Sequence, residues 1–258
     1  MEIYLPKNVF TETIVKSLSG LPVNFSPAAV IIKKIKETPD AVGFIPVTDL
    51  INNRELFVSK ANGISFEGSL CNTYIYYPSS SKSGLESHEK NEFKEINLFG
   101  DISTVEAILG KILFKEIYNK EVEVKILKDL GTVGDGSTII TGDENFRNER
   151  FKSGISFSEI IEDTLNIPYV NYIIASTKKE LVEQVNEKFV GIDDLVYNSM
   201  EIRDFGKSLS DASKNYIIEN VSSFIMRFEE SDIEGINQLI KLPYYHGMID
   251  DIFDINFV

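Results

Sequence analysis

A run of β-branched residues, Ile139-Ile140-Thr141, ends in Gly142-Asp143, and this pattern constrains the fold more than any other in the chain. It predicts a short buried strand that carries polar groups at its C-terminal end. In open α/β sheets, ligands usually bind at the carboxyl ends of the strands. A second segment, residues 41–77, points to the same architecture. Together the two segments predict a two-lobed α/β protein that closes on a small molecule.

The length and charge of the chain indicate which classes of partner are unfavourable. The chain has 258 residues, which allows one large domain or two lobes that each have a core. Its formal net charge of −14 disfavours nucleic acid and anionic membranes, because both would repel it. No apolar run approaches the roughly 18 residues of a membrane span, and residues 1–6 lack the pattern of a secretory signal. We therefore expect a cytoplasmic protein that binds neither nucleic acid nor membrane.

Strand-like and helix-like segments alternate along the chain, which is typical of the α/β class. Strand patterns occur at residues 2–5, 41–46, 70–77, 95–99, 122–127, 138–141 and 169–175, and helix patterns at 26–37, 105–118, 158–165 and 178–189. The turn residues Ala61-Asn62-Gly63 predict a break between strands. Residues 78–92 and 131–136 have the composition of loops, and residues 191–258 look mainly helical apart from 223–228. We find no internal repeat.

Five segments in this order resemble the chorismate dehydratase family of the futalosine route to menaquinone. They are residues 41–46 followed by Asp49-Leu50-Ile51, residues 64–74, Asp101-Ile102-Ser103-Thr104 with the helix after it, residues 139–144, and residues 165–170. The resemblance covers most of the chain. It implies a fold like that of type II periplasmic binding proteins, in which each lobe is a mixed sheet flanked by helices and two strands cross between the lobes.

The resemblance also implies lobe boundaries. Lobe one would contain residues 1–72 and 172–258, and lobe two would be the inserted residues 73–171. The crossovers would lie near residues 70–74 and 169–173, and the ligand cleft would lie between the lobes. We expect the helical C-terminal third of the chain to pack on lobe one.

Removing water from chorismate requires a pocket that holds two carboxylates. Backbone N–H groups at a helix N-terminus can hold such groups, helped by Ser and Thr hydroxyls. Ser103 and Thr104 stand at the start of a predicted helix, and Asn72 and Thr73 could add donors from the crossing strand. The full set of candidate substrate-binding residues is Asn8, Asn72, Thr73, Ser103, Thr104, Gly142 and Asp143. No residue is singled out as catalytic.

These residues have ordinary structural alternatives. Ser103 and Thr104 can simply cap a helix, and Asn8 and Asp143 are residue types common in turns and caps. One cysteine, Cys71, and two distant histidines form neither a disulfide framework nor a metal-ligand pattern. We expect no metal and no organic cofactor.

Three hypotheses of function follow. The first is an enzyme of the chorismate dehydratase type, a carbon–oxygen lyase that forms 3-[(1-carboxyvinyl)oxy]benzoate in menaquinone biosynthesis. The second is a non-catalytic cytoplasmic protein of the same fold that binds a small carboxylate. It is motivated by departures from the family at pocket positions. Asn72 stands where the family has a serine, and the family's Thr-Ser pair is Thr104-Val105 here. The third is an unrelated α/β protein that acts through a partner. Whether the chain forms a homodimer stays open.

Overall fold

The computed structural model describes residues 1–17, 22–78, 94–130, 136–201 and 205–258. The loop expected at residues 78–92 lies outside the described residues from residue 79 onward, and so does the turn expected at 131–136, up to residue 135. The described segments form, in chain order, β1 (Glu2–Leu5), α1 (Val9–Ser17), β2 (Val23–Phe25), α2 (Ala28–Glu37), β3 (Ala41–Pro46), β4 (Phe57–Phe66), β5 (Thr73–Tyr76), β6 (Glu95–Gly100), α3 (Thr104–Tyr118), β7 (Glu123–Ile126), β8 (Ser137–Thr141), β9 (Ile155–Ser156), α4 (Phe157–Leu165), β10 (Tyr169–Ser176), α5 (Lys179–Lys188), α6 (Ile192–Glu201), α7 (Asp211–Glu219), β11 (Phe224–Arg227), α8 (Glu230–Tyr245) and β12 (Asn256–Phe257).

The first sheet contains both ends of the described chain. Its strand order is β2-β1-β3-β10-β4-β11, with β12 paired alongside β4. Strands β1, β2 and β3 are parallel, whereas β10 runs antiparallel to both β3 and β4. All eight residues of β10 are buried, because this strand lies in the middle of the sheet and is covered on both faces.

The second sheet repeats this order with different strands. It runs β7-β6-β8-β5-β9, in which β6, β7 and β8 are parallel and β5 is antiparallel to β8 and β9. In each sheet, therefore, the first parallel strand lies between the other two, and an antiparallel strand pairs with the third. The two sheets therefore share a strand topology, although the sequence shows no internal repeat.

The two sheets confirm the predicted fold class, a two-lobed α/β fold with mixed sheets flanked by helices. The chain passes from the first sheet to the second between Phe66 and Thr73, and it returns between Ser156 and Tyr169. Strands β11 and β12 bring the C-terminal part back to the first sheet, and α8 packs on β10. The lobe boundaries at residues 72/73 and 171/172 stay a prediction.

One local prediction was wrong, and one helix was missed. The expected break at residues 61–63 is absent, because β4 runs through them and the register shifts against β10 and β11 instead. The turn-forming residues therefore mark a bulge. Helix α1 was missed, since residues 9–17 include β-branched residues of modest helix propensity. Tertiary packing stabilises α1, because Val9, Phe10 and Ile14 are buried and the helix lies against α6.

Candidate functional site

The candidate site lies where the carboxyl ends of strands from both sheets meet. Parallel strands carry their C-terminal residues to one edge of a sheet, so polar residues that follow them share that edge. Asn8 follows β1 and Asp49 follows β3 in the first sheet, while Asp101 follows β6 and Asp143 follows β8 in the second. Asp143 and Asp101 accept hydrogen bonds from backbone groups of the first lobe, and Thr104 donates to Asp49, so the two edges face each other.

Two Gly-Asp pairs of the second sheet cap helices of the first. Asp143 accepts a hydrogen bond from the backbone N–H of Val9, at the start of α1, over 2.7 Å. Asp101 accepts from the backbone N–H of Ala28, at the start of α2, over 2.9 Å. A carboxylate at a helix N-terminus is favourable, because it satisfies a free N–H and interacts with the helix dipole. Each of these two contacts joins the two lobes directly.

A glycine precedes each of these aspartates and sets its direction. Gly100 has a φ of 103° and Gly142 a φ of 97°, which side-chain-bearing residues rarely adopt. A Cβ atom on Gly100 would also lie 2.0 Å from the carbonyl oxygen of Thr141. The repeated Gly-Asp sequence is therefore a repeated structural device, in which the glycine turns the chain and the aspartate reaches the opposite lobe.

A third contact between the lobes involves Thr104. Its hydroxyl donates to Asp49 Oδ1 over 2.7 Å, and it lies 2.6 Å from the hydroxyl of Thr48. The second carboxylate oxygen of Asp49, Oδ2, is buried and has no hydrogen-bond partner. Thr104 thus lies at the meeting edges, where it bonds to the protein's own carboxylate.

Ser103 caps α3 and brings Glu106 into the site. The backbone N–H and the hydroxyl of Ser103 both donate to Glu106 Oε2, over 2.9 and 2.6 Å, and form a capping box. Glu106 is fully buried, and its other oxygen accepts from the hydroxyl of Thr73 over 3.3 Å. Thr73 in turn lies 3.1 Å from the hydroxyl of Thr141. The predicted residues Ser103 and Thr73 therefore meet at a carboxylate that the sequence analysis did not select.

Asn72 belongs to a second buried polar group. Its side-chain N–H donates to Asn171 over 3.5 Å, and Asn171 donates to the hydroxyl of Tyr169 over 2.8 Å. The side-chain oxygen of Asn72 and the hydroxyl of the neighbouring Tyr172 make no hydrogen bond of good geometry, although both residues are 1% exposed. Burial, followed by the negative charge of Glu106, holds the pKa of both tyrosines well above its usual value.

The remaining predicted residues shape the site. Asn8 caps α1, since its side-chain oxygen accepts from the backbone N–H groups of Phe10 and Thr11 over 3.1 and 3.0 Å. Gly142 donates its backbone N–H to the carbonyl of Asn72 over 2.8 Å. The roles of the predicted residues as ligand contacts stay predictions. Residues that the sequence analysis missed as site residues are Asp49, Asp101, Glu106, Asn171 and Tyr172. The Ser-x-x-Glu spacing of a capping box was the one available signal for Glu106.

The site is rich in carboxyl groups. Burial raises the pKa of Asp49 to about 6, with Glu106 adding to the shift and the hydrogen bond from Thr104 opposing it. Burial also raises the pKa of Asp101 to about 6, against the opposing hydrogen bond from Ala28. The pKa of Asp143 is raised for the same first reason. Keeping these carboxyl groups charged in the folded protein therefore costs free energy.

Asp49→Asn should stabilise the protein above neutral pH. Because the folded state holds the Asp49 proton more tightly than the unfolded state does, stability is lost as pH rises from the ordinary value of 3.8 through about 6. Asparagine avoids this loss, so we expect a gain of up to about 3 kcal/mol at about pH 8 that vanishes near pH 4. Urea unfolding across this pH range measures it.

Asp40→Asn is the matched control. Asp40 is an exposed aspartate whose pKa is lowered by its hydrogen bond and ion pair with Lys178. Its pH dependence therefore has the opposite sign, and Asp40→Asn should not stabilise the protein at alkaline pH. The expected result is that Asp49→Asn is more stable than the wild type at pH 8 but not at pH 4. The same stability difference at both pH values would contradict the raised pKa of Asp49.

The described residues contain no group of three or more His, Cys, Asp or Glu side chains arranged to hold a metal ion. Among the same residues, no helix is both long and apolar enough to cross a membrane.

Comparison with known proteins identifies the fold class. No family model matches the chain, and no curated protein matches it in sequence. Solved structures that share its fold include solute-binding proteins of the type II periplasmic-binding-protein kind.

Three of these structures show how complete the likeness is. The periplasmic aliphatic sulphonate-binding protein of Escherichia coli has a TM-score of 0.63 at 10% identity, over 99% of this chain and 95% of that one. The alkanesulfonate-binding protein of Xanthomonas axonopodis pv. citri, bound to MOPS, has a TM-score of 0.60 at 12% identity, over 97% and 94%. The ligand-binding component of an ABC-type import system from Staphylococcus aureus, with zinc bound, has a TM-score of 0.63 at 12% identity, over 100% and 95%. At such identities the likeness is one of fold.

Proposed function

We propose that this chain binds a small polar molecule between its two lobes. The observation that carries the proposal is a pair of buried oxygens without hydrogen-bond partners where the lobes meet, Asp49 Oδ2 and Asn72 Oδ1. A buried polar group without a partner costs about 1–3 kcal/mol. A ligand that donates hydrogen bonds to these oxygens would remove that cost.

The topology supports the same proposal. Two lobes joined by two chain crossings can close on a ligand by a hinge motion, as periplasmic binding proteins do. The likeness in fold to solute-binding proteins agrees with this use of the cleft. Thr73, Ser103 and Thr104 also face the same meeting edges through their hydrogen bonds to Glu106 and Asp49.

Conversion of chorismate is a second candidate function. The ordered segments that resemble chorismate dehydratases support it, and Thr73 and Ser103 bond to one buried carboxylate, Glu106. Such a reaction must hold two carboxylates of the substrate. The helix N-termini best suited to that role, those of α1 and α2, are already capped by Asp143 and Asp101. The geometry therefore favours binding over this reaction, and it gives the same argument against a small carboxylate as the ligand. The cytoplasmic location stays a prediction, and whether the chain forms a homodimer stays open.

The experiment is a binding screen with a cleft variant. The purified protein is screened by thermal shift against amines, amino acids, sugars, nucleosides and carboxylates including chorismate, and it is examined by native mass spectrometry for a co-purified molecule. Binding in the cleft should be weakened by Asn72→Ala and unaffected by Asn24→Ala, since Asn24 is an exposed asparagine on β2. Chorismate is also followed for product by mass spectrometry.

Three outcomes are informative. A ligand whose thermal shift is lost in Asn72→Ala supports the proposal. Product formed from chorismate would promote the second candidate to first. No binding from any class and no co-purified molecule, with folded protein, would overturn the proposal.

A further inference from the structure

Negative charge predominates where the two lobes meet. Lys7 and Arg147 act on Asp143, but among the described residues no cation contributes to the pKa shift of Asp49 or Asp101. Four carboxyl groups reach these edges, from Asp49, Asp101, Glu106 and Asp143, and Glu106 acts electrostatically on both Asp49 and Asp101. Their hydrogen-bond donors are hydroxyl groups and backbone N–H groups, and none of the four forms an ion pair with a described lysine or arginine. A buried carboxylate is normally paired with a cation. The site lacks that partner in its described part.

The positions that would hold an anion are already used. The N-termini of α1 and α2 are capped by Asp143 and Asp101 of the opposite lobe, and that of α3 by Ser103. An anionic ligand would have to displace an aspartate, and it would then face Glu106. Both steps are unfavourable, because like charges in a water-poor site repel strongly.

The atoms that lack partners are acceptors of hydrogen bonds. The ionised Asp49 Oδ2 and Asn72 Oδ1 can only accept. Both residues are at least nine-tenths buried. An ammonium group has three donors and no acceptor, so it fits this set of unpaired atoms.

We infer that the ligand of this cleft is a small organic cation with a primary ammonium group, which is held by the carboxyl groups of Asp49 and Glu106 and by the side-chain oxygen of Asn72. This inference rests on the proposed function and narrows its ligand class. A metal ion is the other way to supply positive charge, but the described residues offer no set of three metal ligands. The raised pKa of Asp49 agrees with a carboxylate whose counter-charge is supplied from outside.

The experiment compares ligands that share a carbon skeleton and differ in the charge of their polar end group. Ethyl, butyl and phenylethyl skeletons are each tested as amine, alcohol and carboxylate, by thermal shift and then by calorimetry for every probe that shifts. We expect the amines to bind and their alcohol and carboxylate counterparts to bind at least about tenfold more weakly. Asp49→Asn, which keeps the acceptor for Thr104, should weaken amine binding about tenfold to a hundredfold. Asp40→Asn, on the surface, should leave it unchanged.

Each outcome separates this inference from the proposed function. Binding of carboxylates alone, or of alcohols as tightly as amines, overturns the charge assignment and upholds a small-molecule cleft. Amine binding that persists unchanged in both Asp49→Asn and Asn72→Ala is adventitious binding to an acidic surface, and it overturns the inference. No binding in any arm, together with a negative result in the broader screen, overturns the proposed function itself. The circular dichroism spectrum of each variant shows that the variant is folded.

Discussion

Phe146→Ala is expected to lower the free energy of unfolding by about 3–5 kcal/mol, the usual cost of removing a large buried aromatic side chain. Phe146 follows the Gly142-Asp143 turn, is fully buried, and packs edge-on against Phe10 of α1, with ring centroids 5.8 Å apart. It also contacts Tyr74 and Phe151 of its own lobe. The cavity left by alanine would therefore loosen the contact between the lobes as well as the core.

Urea unfolding measures the loss, and small-angle scattering measures the separation of the lobes. Phe25→Ala is the control, because Phe25 lies at the edge of the first sheet and is 39% exposed. We expect that variant to lose much less stability than Phe146→Ala. Equal losses in the two variants would show that the aromatic contact between the lobes has no special weight.

Asp101→Ala and Asp143→Ala should each lower stability by about 1–2 kcal/mol, the typical cost of losing a helix cap. The backbone N–H groups of Ala28 and Val9 lose their only described acceptors, and both residues are fully buried. An unsatisfied buried N–H is expensive, so the lobes should separate enough for water to reach these groups. The double variant should therefore open more than either single variant.

Hydrogen exchange at the amides of Val9 and Ala28 reports this opening directly. The matched variants are Asp101→Asn and Asp143→Asn, which keep an acceptor and remove the charge. They should preserve slow exchange, and Asp101→Asn should gain stability above pH 6 because it removes a costly carboxylate. Unchanged exchange in the double alanine variant would contradict the role of the aspartates as bonds between the lobes.

The sequence predicted which polar groups stand at strand ends, but it did not predict the hydrogen bonds that they make with one another across the lobes. The pattern of apolar strands ending in Gly-Asp placed polar groups at strand ends, and the structure brings Asn72, Thr73, Ser103, Thr104 and Asp143 to the meeting edges of the two sheets. Strand periodicity is a local property, and the carboxyl end of a parallel strand is fixed once the strand is known. Whether these groups face a ligand or each other depends on the opposite lobe.

The sequence by itself determined the α/β class, most strands, the capping of α3 and the strand ends that carry the site, because these depend on residues close together in the chain. Only the tertiary structure decided that Asp143 caps a helix 134 residues away and that Asp101 caps one 73 residues away. It also decided that Glu106 meets Thr73 and that Asp49 meets Thr104. Local patterns encode neighbours three or four residues apart, whereas the pairing of distant groups follows from the packing of two lobes, and this packing places carboxyl groups where the lobes meet.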